Sequence, residues 1–519
     1  MPTALDERKV IKPIPKGPAR HVDRRKFWTI LAIAACLAVI AGGYFYYEDW
    51  PFTPKNVVKE LELATSSHVQ FASFRRFFLP HPGCVLDSVI LSRGSTPANQ
   101  EMMKIRQVVI KGKWTGLIQN HVAIVRADGV DAVFPPFGEG EPWKPAETDV
   151  IVDKLIANGA VLQFRRHDSK PPVKFSIEKL IAHHLVNHEP TKFEVRVRNP
   201  EPPGMVDASG SFGPWNETQL SATPISGNYS FQNADLGTFG GVRGILSSDG
   251  MFNGTLESIV VKGKTMIPDF GVSDTPHKLH LNSQFDAAVD STNGDVTLHG
   301  VQAQLQKTII LTKGTVASHR TEDGKTANLH FAVRNGRIQD LLLMFVSEKK
   351  APLNGAVSLR AHTVVPPGNR PFLQKLRMSG DFGIESAEFT KEETQNNLDK
   401  LSTAARGGGD QTDDPESVLS DLTGHVEVRD GVATFSQLRF RIPGARARFD
   451  GTFDLITQKV DLRGMLYMDA TLPKATSGIK SFLLKAIDPF LKKNRRGGAK
   501  FPVSITGTYH HPSYKADPV

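Results

Sequence analysis

Residues 441–468 read RIPGARARFDGTFDLITQKVDLRGMLYM, and the spacing of apolar positions in that run decides the fold class. Phe449, Gly451, Phe453 and Leu455 share one parity; after a turn at 456–459, so do Val460, Leu462, Gly464, Leu466 and Met468. The other parity carries Asp450, Thr452, Asp454, Asp461 and Arg463. Side chains alternate across a strand with period two, so the run predicts an antiparallel hairpin with one apolar face. Phe449, Phe453, Leu462 and Leu466 are the candidate lining of that face. Arg439, Arg441, Arg446 and Arg448 lie in one strand pair and either meet lipid headgroups or form a solvated outer face, the commoner role.

Upstream the same period recurs. Leu279, Leu281, Phe285 and Val289 lead to the turn Thr292-Asn293-Gly294-Asp295, then Val296, Leu298, Val301 and Leu305, then Ile309 and Leu311 ahead of Lys313-Gly314. Such a cadence predicts a meander of antiparallel strands. Residues 121–133 and 150–164 predict two further hairpins, turning at Asp128-Gly129 and Asn158-Gly159, and 173–185 predicts a strand. Helical spacing appears at 54–64, at 336–346 (Ile338, Leu341, Leu342, Phe345) and in the polar run 391–405, before a glycine-rich linker at 407–415. The long helices that alternate with strands in parallel α/β folds are missing from this pattern.

One late segment breaks the period. Across 477–493, Ile479, Phe482, Leu483, Ala486, Ile487 and Phe490 form a stripe flanked by Lys480, Lys485, Lys492 and Lys493, with a kink expected at Pro489. This helix either plugs the end of the sheet or touches anionic lipid through Phe482, Leu483, Ile487 and Phe490; packing is the commoner use. A final strand runs through Val503, Ile505, Gly507 and Tyr509.

At the other end, 27–47 reads FWTILAIAACLAVIAGGYFYY, without a charged residue and long enough to cross a bilayer as a helix. Eight basic residues against three acidic ones precede it, which predicts a cytoplasmic N-terminus. Trp28 on one side and Tyr44 to Tyr47 with Trp50 on the other resemble interfacial belts. Ile33-Ala34-Ala35-Cys36 has the form of a lipoprotein cleavage site, but the apolar run continues well past Cys36, as a spanning helix requires.

The formal charge is +9, much of it in the leader and one C-terminal patch, so a nucleic-acid stripe is not expected. Of the two cysteines, Cys36 lies in the span, which leaves Cys84 without an intrachain partner. Chemical motifs are sparse. Gly263-Lys264-Thr265 lacks the upstream glycine of a phosphate loop, since Ser258 stands there. Ser477-Gly478-Ile479-Lys480 has the serine–lysine spacing of penicillin-interacting enzymes without their companion motifs. His183-His184 and His510-His511 put neighbouring rings on opposite faces of a strand, unsuited to one metal. No catalytic residue, cofactor or metal is expected, and the chain reads as a non-enzymatic protein.

The chain resembles the AsmA family of bacterial envelope proteins, relatives of TamB. The resemblance rests on the span followed by a strand-rich region, on Leu236-Gly237 within GNYSFQNADLGTF, on LRMSGDFGIESAEFT (376–390) leading to DKLS, and on 441–466 with the closing FPVSITGTYHHPSY (501–514). It implies a mainly β protein: an N-terminal transmembrane helix, then an elongated, curled antiparallel sheet forming a repeating apolar groove, with a few short helices. The expected organisation is a basic leader (1–26), the span (27–47), an N-terminal β region (48–200), a central one (201–390), helix and linker (391–416), and a C-terminal β region (417–519). The implied function is handling or transfer of phospholipid or another envelope lipid in support of outer-membrane biogenesis. Anchorage would be single-pass in the bacterial inner membrane, with the bulk of the chain periplasmic. An alternative is a scaffold or assembly factor whose β-domain binds an outer-membrane or periplasmic protein.

Overall fold

The computed structural model describes residues 33–37, 39, 50–92, 101–116, 121–134, 149–165, 172–186, 188–216, 219–239, 241–272, 275–319, 322–368, 370–406, 418–469 and 499–516. Two compact units are present, Met1–Val57 and Val58–Val519, with helix α1 (Pro54–Thr65) running through the boundary. In the first unit, 33–37 and 39 are helical and exposed. Among the described residues no helix is long and apolar enough to cross a membrane; most of 27–47 lies outside them.

Among the described residues, the second unit is built on one mixed sheet of twenty-five strands. β1 (His68–Gln70) and β2 (Ser73–Phe77) both pair with β3 (Gly83–Ser92), which leads to β4 (Glu101–Gly112), β5 (His121–Phe134), β6 (Ile151–Phe164), β7 (Val173–Leu185), β8 (Thr191–Pro200), β9 (Pro203–Phe212) and β10 (Pro224–Asp235). The two-residue β11 (Val242–Arg243) lies beside β13, while β12 (Ile245–Thr255), β13 (Ser258–Val272), β14 (Leu279–Asp290), β15 (Asp295–Leu305), β16 (Thr308–His319) and β17 (Glu322–Arg337) continue the order. Then come β18 (Leu353–Val365), β19 (Arg377–Phe389), β20 (Ser420–Arg429), β21 (Val432–Ile442), β22 (Ala445–Asp454), β23 (Lys459–Met468), β24 (Ala499–Thr508) and β25 (Pro512–Ala516). Apart from β11, each strand from β3 onward pairs with its successor in sequence, and β19 pairs with β20 across the segment holding the predicted linker.

One step departs from the predicted antiparallel meander. β5 and β6 are parallel, and each is a single strand through the position where a hairpin turn was expected. Gly129 and Gly159 have φ of 68° and 62°, so they supply the left-handed residue that a turn would also need. Here both strands pass through their glycines with no shift of register: Asp128 pairs with Asn158, whose amide donates to Asp128 Oδ1 at 2.8 Å, and the same offset holds at Asp131 and Val161. Likewise Gly314 does not end a strand; β16 passes through it with φ of 149°.

The predicted helix at 336–346 is short. α2 (Ile338–Leu342) is followed by turn-type hydrogen bonds to Val346. α3 (Phe372–Lys375) joins β18 to β19, and α4 (Glu392–Ala405) agrees with the 391–405 reading. These helices cover the C-terminal third of the sheet. Leu401 and Ala405 of α4 pack with Leu438, Ile442, Phe449 and Leu466; Leu341 and Leu342 pack on Val333, Val357 and Ile384; Phe372 packs on Val426, Val428 and Ala433.

Candidate functional site

The site is a face of the sheet, and register defines it. Cross-strand partners share a face. From Phe74 in β2 the partners run through Leu86, Val108, Ala127, Ala157, Leu180, Val195 and Ala208 to Tyr229 in β10. They continue through Gly250, Gly263, Phe285, Val301, Thr312, Phe331, Ala361 and Gly380 to Val426 in β20. Phe435, Gly451, Leu462 and Ile505 carry the row to Tyr514 in β25. No member is charged. One residue along, the opposite face presents Glu194, Ser209, Asn228, Met251, Lys262 and Asp286 from β8 to β14. His330, His362, Ser379, Glu427, Thr434, Thr452 and Asp461 follow from β17 to β23.

Between β7 and β17 the row is half-buried, and α2 reaches its face at Ile310 of β16 and Val333 of β17. Glycine shapes this stretch: a Cβ on Gly263 would stand 2.6 Å from Tyr229 Oη and 2.9 Å from Phe285 Cζ. The two rings thus lie over the bare backbone of β13, filling the space a side chain would occupy. Tyr229 shares a hydrogen bond with Ser248 at 3.0 Å, and Thr265 pairs with Ser283, so these four hydroxyls have partners. Burial pushes the Tyr229 phenol above its usual range, which keeps the ring neutral. At β14–β17 a bulge at His299 interrupts the ladder. An open hollow of about 520 Å³ lies there, lined by Phe285, Val301 and Phe331 together with Asp286, His299 and Lys313.

Of the four lining residues read from sequence, Leu462 belongs to the row and is half-buried. Phe449, Phe453 and Leu466 share its face by the period of two. Phe449 and Leu466 are 9% and 6% exposed, closed over by α4, and Phe453 packs beside Val428 and Ala433. Phe482, Leu483, Ile487 and Phe490 lie outside the described residues. Sequence reading missed Tyr229, Phe331 and the paired glycines Gly250 and Gly263. Their signal is register across strands, which no single run of residues contains.

On the opposite face, Ser379 Oγ lies 3.2 Å from His425 Nε2, and His425 Nδ1 lies 2.7 Å from Asp381 Oδ1. The order resembles a hydrolytic relay. However, Asp381 is 83% exposed, and the surrounding N–H groups are spent in the β18–β19–β20 ladder, leaving no pair of donors aimed at an oxyanion. We assign these residues a cross-strand structural role. Among the described residues no group of three His, Cys, Asp or Glu side chains is placed to hold a metal ion. His184 instead meets Glu189 at 3.3 Å, and His510 meets Glu348 at 3.3 Å.

No family model, curated protein or solved structure matches the chain.

Proposed function

We propose that this protein holds lipid acyl chains along the uncharged face of its sheet, as a membrane-anchored lipid-handling protein of the AsmA type. In this reading residues 27–47 anchor it in a bacterial inner membrane, the leader is cytoplasmic, and the sheet works in the periplasm for outer-membrane biogenesis. The observation that carries it is the cross-strand row from Phe74 to Tyr514, uncharged throughout and half-buried over its middle strands. Hydrocarbon costs about 0.8 kcal/mol per CH₂ to expose to water, so its passage between membranes calls for a continuous apolar lining. A row broken by even one unpaired charge would present a barrier of several kcal/mol at that strand.

The alternative, a scaffold that binds a protein through an open sheet edge, draws less support from the outermost described strands. β25 has five residues, opens with Pro512 and carries Lys515; β2 carries Arg75 and Arg76. Short, charged or proline-bearing edges discourage strand addition.

The test is site-specific photo-crosslinking in cells, with a photoreactive amino acid in place of Phe285 or of Lys262 on the other face. Mass spectrometry should find phospholipid adducts at position 285 and none at 262. Absence of adducts at 285, or equal yields at both, would overturn the proposal.

A further inference from the structure

The face opposite the row carries a basic patch with an unusual arrangement. Arg439 pairs in register with Arg448, and Arg441 with Arg446, so two like-charged pairs stand directly across β21 and β22. All four side chains are exposed. The register then passes from Arg446 to Tyr467 and on to Lys500. Arg446 and Lys500 sit 5.7 and 5.5 Å from the centroid of the Tyr467 ring, one cation from each neighbouring strand.

Like charges directly opposite one another destabilise a sheet. Elsewhere on this face the sheet offsets a cation with an acid, as in Lys262–Asp286 at 3.0 Å. At the patch no ion pair forms among the described residues. The nearest acid by register, Asp421 opposite Arg441, accepts instead from the Ser386 backbone. Asp450, two residues from Arg448 on the same face, likewise accepts from the Gln437 backbone. Anions from outside would relieve the repulsion, and guanidinium forks at strand spacing suit phosphate oxygens, which they engage bidentately.

We infer that this patch, Arg439, Arg441, Arg446, Arg448 and Lys500 around Tyr467, is a docking surface for the phosphate-bearing headgroups of an anionic bilayer. Charge complementarity favours a membrane over a protein edge. Five exposed cations stand on one face across β21, β22 and β24, a concentration of one sign that a polyanionic surface matches. Tyrosine between two cations also suits the bilayer interface, where an amphipathic ring sits at headgroup level.

The experiment places the full chain in phosphatidylcholine proteoliposomes and measures capture of a second population of fluorescent vesicles. Vesicles containing phosphatidylglycerol should be captured and pure phosphatidylcholine vesicles should not, with capture falling as salt is raised. Arg446→Gln/Arg448→Gln and Arg439→Gln/Arg441→Gln each remove both opposed pairs and should weaken capture roughly twenty-fold, each cation near an anionic surface being worth about five-fold. Arg439→Gln/Arg441→Gln, which leaves the Tyr467 contacts in place, should also melt at the same temperature as the parent or higher, because repulsion has been relieved. Unchanged capture, capture of neutral vesicles to the same extent, or a lower melting temperature of that variant would each overturn the inference; the last would mean that the arginines serve the fold. Adducts at position 285 read the lipid-handling proposal independently, so failure of one is distinguishable from failure of the other.

Discussion

Burial alone would raise the Asp295 carboxyl, but hydrogen bonds from Lys325 Nζ at 2.9 Å and from the Ser318 backbone at 3.0 Å outweigh it and hold it below the usual range. A depressed folded-state value means stability that is present above the unfolded value, about 3.9, and is lost as pH falls through the folded one. Asp295→Asn should therefore lower stability near neutrality, by about 1 kcal/mol, and flatten the acid limb of the stability–pH curve; urea titrations between neutral pH and pH 3 check it. Cys84 is the opposite case: fully buried in β3, its thiol is pushed up to about 12 by desolvation. It should resist N-ethylmaleimide in the folded chain at pH 8 and react only on unfolding, as peptide mass mapping would show. Such residues were only partly visible beforehand. That Cys84 lacks a partner followed from counting, whereas its inertness depends on Leu86, Val108 and the rest of a core that strand pairing assembles.

Strand β6 isolates the effect of backbone conformation. A Cβ at Gly159 would meet nothing within 4 Å, yet the residue has φ of 62°. Gly159→Ala should then cost about 1–2 kcal/mol through conformation alone, with no change in packing. Chemical denaturation of that variant checks this cost. At α2 the tie is polar: buried Asp340 accepts from Thr308 Oγ1 at 2.9 Å and from the Lys307 backbone at 3.1 Å. Asp340→Ala would leave the Lys307 N–H without its acceptor and the Thr308 hydroxyl with only its bonds to the Arg337 backbone, and should cost about 1–3 kcal/mol, read as a fall in denaturation midpoint. Period-two runs made β7, β14, β15, β22 and β23 legible as strands, because burial of one face writes itself into local order. That β5 and β6 run straight through Asp128-Gly129 and Asn158-Gly159 was not legible. The same left-handed glycine serves a reversal or a strand interior, and the choice between them is made by the neighbouring strand.

Across the second unit, the uncharged face became visible only when register joined runs separated by hundreds of residues. Leu462 could be named from its own hairpin; its partners Gly451 and Ile505 could be inferred, but the tie to Phe285 could not. The same distance in sequence separates the parts of a contact near the C-terminal strands. Glu348, in the link between β17 and β18, accepts a hydrogen bond through its backbone oxygen from His277 Nε2 at 2.8 Å and meets His510, beyond β24, at 3.3 Å. Neighbouring strands rotate by about 20–25°, so the six steps from β18 to β24 amount to about 120–150° and swing opposite strand ends toward one another. Glu348→Ala together with His510→Ala should speed amide exchange in 344–350 and 509–511 while leaving β3–β9 unaffected, a pattern that hydrogen-exchange mass spectrometry resolves.

The parallel step between β5 and β6 carries a consequence for direction. In a pure meander, every second connection emerges on the same side, and which side is settled by the first strand. Two successive strands pointing the same way exchange the sides for all that follow. Because of that single exchange, the connections bearing α2 and α4, and the one joining β23 to β24, emerge on the side where β1 begins. Without it they would issue from the opposite rim, and the arginine pairs would change rims with them.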